Sequence, residues 1–156
     1  MLEAMADGGI PDQSTRTLMQ ERRTTATSVA RPERAQRPLA LVVDDFEDSR
    51  VLYAMCLADS GFRVVEARDG EEALACVARE RPDVIIMDLA MPRMDGITAT
   101  RAIKSNEETA SIPVIVLTGN ATAPEIARAH AAGADDVLTK PCVPARLTAV
   151  TMKHLG

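Results

Sequence analysis

From Pro38 onward the chain alternates short apolar runs with longer helix-like segments, and this alternation constrains the fold more than any other feature. Strand-like runs fall near 39–44, 62–66, 83–87, 112–117 and 136–139. Helical stretches fall near 48–59, 69–80, 95–105, 122–132 and 143–154. Regular β–α units of this length predict an α/β domain, a doubly wound five-stranded parallel sheet with helices on both faces. Local chemistry agrees. Asp69-Gly70-Glu71-Glu72 opens a helix with its acids at the positive end. Pro124 with Glu125 suits a first helical turn, and Gly133 suits a left-handed stop after it.

What the apolar runs run into is equally informative. Leu39–Val43 leads into Asp44-Asp45, Asp83–Met87 stops at Asp88, Ile112–Leu117 meets Thr118, and Asp136–Thr139 ends at Lys140-Pro141. Functional groups on open α/β sheets collect at the carboxyl ends of the strands, so Asp44, Asp45, Asp88, Thr118 and Lys140 are expected to meet in one crevice. Singly, each has a plain explanation: Asp44 or Asp45 as a cap for the helix near Asp48, Asp88 as a loop acid, Thr118 as a turn residue, Lys140 as a solvated lysine. In this order, each at a strand end, they are hard to assemble by chance.

Three carboxylates in a partly desolvated crevice repel one another and call for positive charge. A hard divalent cation such as Mg²⁺ is the natural candidate, since it takes oxygen ligands and keeps several waters. The backbone carbonyl of Ala90, two residues past Asp88, is in reach to complete such a site. Lys140 supplies a second, fixed cation. Between two cations, an Asp88 oxygen is placed to attack phosphorus, and aspartyl phosphate is an established covalent intermediate. The Thr118 hydroxyl then has a phosphoryl oxygen to hydrogen-bond.

Composition narrows the class further. Asp and Glu number 23 against 18 Lys and Arg, for a formal charge of −5, which argues against a dedicated nucleic-acid binder with a clustered basic face. Three widely spaced cysteines (56, 76, 142) without a C-x-x-C give little support to a metal-thiolate or disulfide framework and fit a reducing cytosol. No apolar run approaches the ~20 residues of a membrane span, and Asp7, Gly8 and Gly9 interrupt any leader-like start. The expectation is a cytoplasmic protein without membrane or nucleic-acid contacts. Residues 1–37 are rich in Arg, Thr, Ala, Ser, Gln and Pro, with scattered apolar residues. They read as a disordered or weakly helical tail, with a marginal helix around Leu18–Arg23.

The stretch from Leu39 to about Leu155 closely resembles the receiver domain of bacterial response regulators. The matching pieces are Val42-Val43-Asp44-Asp45, Asp69-Gly70 with Glu72-Ala73-Leu74, Pro82–Asp88, Met91-Pro92-x-Met94-Asp95-Gly96, Ile112–Thr118, Ala132–Asp136 and Lys140-Pro141. The resemblance implies a flavodoxin-like fold with strand order 2-1-3-4-5 over residues 38–156. It also implies Asp88 as phosphoacceptor, Mg²⁺ held by Asp44, Asp45 (the direct ligand), Asp88 and the Ala90 carbonyl, and Thr118 and Lys140 on the phosphoryl group. The Lys140–Pro141 peptide is expected to be cis. The donor it implies is a phosphohistidine on a sensor histidine kinase or a histidine phosphotransfer protein; neither His130 nor His154 fits that role and both are expected on helix surfaces.

Two positions depart from the family's habit. Val137 stands where Tyr or Phe is frequent, three residues before the lysine, and a β-branched valine has little rotamer freedom with which to signal. Only Tyr53, Phe46 and Phe62 are aromatic, and none substitutes in an obvious way. Cys142 stands where Phe is frequent. Ala90 and Asn120 occupy the positions two residues past Asp88 and Thr118 from which side chains steer water to a phosphoryl group.

The leading expectation is a stand-alone phosphoacceptor switch: no output module follows the receiver, so output passes through partner binding, at the face built from residues 122–156 with its Ala127, Ala129, Ala131 and Ala132. The alternative is a receiver-shaped adaptor that binds partners without cycling phosphate. A phosphatase using aspartyl phosphate would want Asp-x-Asp at the first strand, which Asp44–Asp48 lacks, and a nucleotide binder would want a Gly-rich loop there.

Overall fold

The computed structural model describes residues 36–155. The tail expected over 1–37, with its helix near Leu18–Arg23, falls outside these apart from its last two residues. Pro38–Gly156 form one compact unit. Its elements alternate as read: β1 (Leu39–Val43), α1 (Glu47–Asp59), β2 (Arg63–Ala67), α2 (Gly70–Glu80), β3 (Val84–Asp88), α3 (Gly96–Ser105), β4 (Val114–Thr118), α4 (Ala123–Ala131), β5 (Asp136–Thr139) and α5 (Pro144–Leu155). The five strands are all parallel in the order β2-β1-β3-β4-β5.

Strand composition follows from position. β1, β3 and β4 are buried along their whole length and are almost purely aliphatic, whereas the edge strands β2 and β5 are partly exposed and carry Arg63, Glu66 and Asp136. Successive residues point to opposite faces. Leu41, Val43, Ile85 and Met87 join one core with Ala73 and Val77 of α2, Ile97 and Ile103 of α3 and Ala129 of α4. Ala40, Val42, Val84 and Ile86 join the other with Tyr53 and Leu57 of α1 and Leu147 of α5. β4 begins two residues later than the apolar run suggests, because Pro113 has no N–H to give a ladder; its carbonyl still accepts from Ile85. The acid before each of two strands ties a neighbouring amide: Asp83 accepts from Leu39 N at 2.8 Å and Asp135 from Val114 N at 2.8 Å.

Helix starts are capped as the sequence indicates. Asp69, Asp95 and Thr122 each accept from the amide three residues on. Gly133, at φ +109°, follows α4. α1 has no side-chain cap at Phe46. One surface expectation is corrected: the four alanines of 127–132 do not share a face. Ala129 and Ala132, three apart, are buried in the core, while Ala127 and Ala131 are exposed. Among the described residues no helix is long and apolar enough to cross a membrane.

Candidate functional site

The sheet register assembles the site. Val43 pairs with Met87, Asp88 with Leu117, and Thr118 with Thr139, so the residues at or just past four adjacent strand ends lie along one edge. Backbone bonds continue the alignment past the strands: Asp44 N donates to Ala67 O at 3.1 Å, Leu89 N to Leu117 O at 3.2 Å, and Lys140 N to Thr118 O at 2.8 Å. The Lys140–Pro141 bond is cis.

Carboxylate oxygens of Asp44, Asp45 and Asp88 lie within 4.8 Å of one another. Asp44 and Asp88 are buried and Asp45 is exposed. Both Asp44 oxygens are engaged: Oδ1 accepts from Phe46 N at 2.9 Å and Oδ2 from Lys140 Nζ at 2.8 Å. Lys140 Nζ also stands 3.2 Å from Asp88 Oδ1. Among the described residues nothing pairs with the Asp45 carboxylate. Burial and then the Asp44 charge push the Asp88 carboxyl up to about 6, against the opposing pull of Lys140. Burial alone would lower the Lys140 ammonium, but its hydrogen bond to Asp44 and the charges of Asp88 and Asp44 hold it above its ordinary value. A crowded acid trio with one exposed, unpaired member is a hard-cation environment.

The loop after β3 carries the Ala90 carbonyl and is clamped from two sides. Gly96 N donates to Leu89 O at 3.0 Å, and a Cβ on Gly96 would collide with the Asp88 carbonyl oxygen. On the other side Gly70 N donates to Met94 O at 3.2 Å, and Arg93 reaches Asp69 Oδ2 at 3.4 Å. Arg93 takes φ +66° to do so, a conformation non-glycine residues adopt sparingly.

Thr118 stands at the same edge but outside the trio's contacts. Its Oγ1 accepts from Asn120 N at 3.1 Å, and it is buried, as a residue of a central strand must be. A cleft of about 410 Å³ opens beside it, lined by Ala90, Asp95, Asn120, Glu125 and Arg128 among others. Asp44, Asp45, Asp88 and Lys140 therefore converge as expected, and Thr118 adjoins them through register rather than contact. Val137 is half-buried against the α2–α4 core. The sequence reading missed one aromatic: Tyr53 of α1 is buried in the apolar cluster on the other face of the sheet that also holds Leu138 and Cys142.

A parallel five-stranded sheet with an acid trio and a lysine at its carboxyl edge defines a small class of signalling domains. The family model of the response regulator receiver domain matches residues 40–151, and the chain belongs to that family. The chain is 45% identical over 109 residues to protein-glutamate methylesterase/protein-glutamine glutaminase 4 of Geobacter metallireducens, covering 67% of this chain and 30% of that protein. It is 39% identical over 112 residues to the transcriptional regulatory protein PrrA of Mycobacterium tuberculosis, covering 72% of this chain and 47% of that one. The chain thus spans less than half the length of these curated relatives. Among solved structures it resembles the chemotaxis response regulator CheY4 of Vibrio cholerae, with a TM-score of 0.73 and 32% identity over 76% of this chain and 99% of that one.

Proposed function

We propose that this receiver takes a phosphoryl group onto Asp88 from a phosphohistidine, carried by a sensor histidine kinase or a histidine phosphotransfer protein. An Asp88 carboxylate oxygen forms the new O–P bond as the donor N–P bond breaks, and the imidazole leaves with that bond's electron pair. The observation that supports this best is the pairing of a buried, charge-crowded Asp88 with Lys140 Nζ at 3.2 Å. Lys140 offers its remaining donors to the phosphoryl oxygens, and Thr118 exchanges its role as acceptor from Asn120 for one as donor to the same group. Asp44, Asp45, Asp88 and the Ala90 carbonyl would hold Mg²⁺, with Asp45 the direct ligand of the acid pair. When bound, Mg²⁺ supplies charge neutralisation at the transferring oxygens. The protein is in this reading a cytoplasmic phosphoacceptor that promotes its own phosphorylation and slow dephosphorylation, with residues 38–156 as the receiver and 1–37 as an appended tail.

Output follows from a change in partner binding at the face of α4, β5 and α5, which carries Lys140 at the end of β5 and lies next to Thr118. No nucleic acid is needed in this scheme. Intact mass after incubation with a small acylphosphate, with and without Mg²⁺, tests it. One Mg²⁺-dependent phosphoryl adduct on the wild type, absent from Asp88→Asn, is expected. A folded wild type that takes up nothing overturns the reading in favour of an adaptor that does not cycle phosphate.

A further inference from the structure

Asp45 is the exposed member of the acid trio, and among the described residues its carboxylate pairs with nothing. A side chain without contacts is aimed by its backbone alone, so the two planar peptides flanking its Cα decide where it points. Both are held. On the far side, Phe46 N donates to Asp44 Oδ1 at 2.9 Å, closing an Asx turn over residues 44–46. On the near side, the Asp44 carbonyl accepts from Arg50 Nη1 at 3.1 Å. Asp44 N is fixed as well, on Ala67 O at 3.1 Å.

Arg50 lies near the start of α1, and its guanidinium is braced in turn: Nε donates to Glu66 Oε1 of β2 at 3.0 Å. The arginine side chain is 11% exposed, against 42% for Glu66. A surface ion pair contributes little stability by itself. Here, however, the acid orients a planar fork whose other arm ends on the backbone of the acid pair. Glu66 pairs in register with Val42, two residues before Asp44, so the edge strand β2 supplies the anchor. One side chain thus joins helix, edge strand and acid turn.

We propose that Arg50 is a positioning residue for the Mg²⁺ site: braced by Glu66, its guanidinium fixes the Asp44–Asp45 peptide and so holds the Asp45 carboxylate toward the other two acids. The inference rests on the metal assignment made with the phosphoacceptor reading, whereas the hydrogen bonds themselves do not. Arg50 donates to a neutral carbonyl and leaves the Asp45 oxygens open to a cation. A lysine at this position would keep the charge but lose the fork.

The test uses the full chain with Arg50→Lys, which removes the fork, and Glu66→Gln, which weakens the brace alone. In the metal-free protein the Asp45 amide should loosen in Arg50→Lys, its NMR order parameter falling from about 0.85 toward 0.6, with the Leu57 amide of α1 unchanged. Mg²⁺ affinity from an NMR titration should drop about tenfold in Arg50→Lys and by less in Glu66→Gln. In an Asp45→Asn background Arg50→Lys should cost nothing more. An unmoved Asp45 order parameter, wild-type Mg²⁺ affinity, or a full additional loss in the Asp45→Asn background each overturns the proposal. A wild type that binds no Mg²⁺ overturns it together with the metal assignment. Failure of the phosphoacceptor reading alone looks different: the wild type binds Mg²⁺ yet takes up no phosphoryl group from a small acylphosphate, and the Arg50 measurements still decide the role of Arg50.

Discussion

Lys140 Nζ lies 2.8 Å from Asp44 Oδ2, nearer than to the Asp88 oxygen it also serves at 3.2 Å. The lysine is thus first the internal counter-ion of the buried acid at the end of β1, and only secondarily of Asp88. Arrival of a cation or a phosphoryl group would draw it away from Asp44.

Lys140→Ala should raise the Asp88 carboxyl further, since both the charge and the hydrogen bond of Lys140 lower it. Carboxyl carbon NMR across a pH titration reads the change, and an unshifted Asp88 would contradict the contact. Phosphoryl uptake at neutral pH should fall but remain measurable, while partner affinity after phosphorylation should lose its increase.

Stability of the metal-free protein should depend on pH in a defined direction. Unfolded Asp88 releases its proton near 3.8 and the native residue near 6, so between these values the native state holds more protons. Unfolding free energy then falls as pH rises from about 4 to about 6 and stays lower above that. Thermal melts in chelator should show this step in the wild type and not in Asp88→Asn. At neutral pH that variant should be the more stable, by on the order of 1–3 kcal/mol. Parallel melting curves for the two proteins would refute the assignment.

Asp45→Asn should weaken Mg²⁺ binding at least tenfold by calorimetry while leaving the unfolding free energy in chelator within about 0.5 kcal/mol of wild type. Asp45 is exposed and makes no pairing among the described residues. A large loss of stability in the absence of metal would show a structural role instead.

Gly96→Ala tests the clamp beneath the acid. The added methyl meets the Asp88 carbonyl oxygen and Leu89 Cα, all backbone, so the loop after β3 must shift. Urea unfolding should show a loss of about 1–3 kcal/mol, and Mg²⁺ affinity should fall with it because the Ala90 carbonyl rides on the same loop. Wild-type stability and Mg²⁺ affinity in this variant would mean that the loop has slack.

Much of this was legible in the residues. Aliphatic runs stopping at polar residues located the ends of β1, β3 and β4, because strands buried on both faces show where burial ends, whereas the edge strands β2 and β5 followed from the β–α alternation. The strand order came only with the resemblance to receivers, since alternation fixes parallelism but not which strands are neighbours. Failures of the reading share a cause. Tyr53 lies 87 residues from Lys140 in sequence, and its burial in one cluster with Leu138 and Cys142 depends on how α1 packs on the sheet, which no local pattern records. The link from Arg93 to Asp69 is likewise a matter of two loops meeting. The alanines of α4 misled because composition is visible in sequence while helical phase over so short a run is not: two of the four belong to the core.

The pairing of Asp88 with Leu117 and of Thr118 with Thr139 carries an evolutionary consequence. Because neighbouring backbones rather than loops measure the spacing between acid and hydroxyl, aliphatic residues deep in β3 and β4 are under the same restraint as the residues they present. A slip of one position in either strand would turn its terminal side chain to the opposite face. The outward helix surfaces carry no such restraint, so substitutions there leave the spacing of the acid and the hydroxyl untouched.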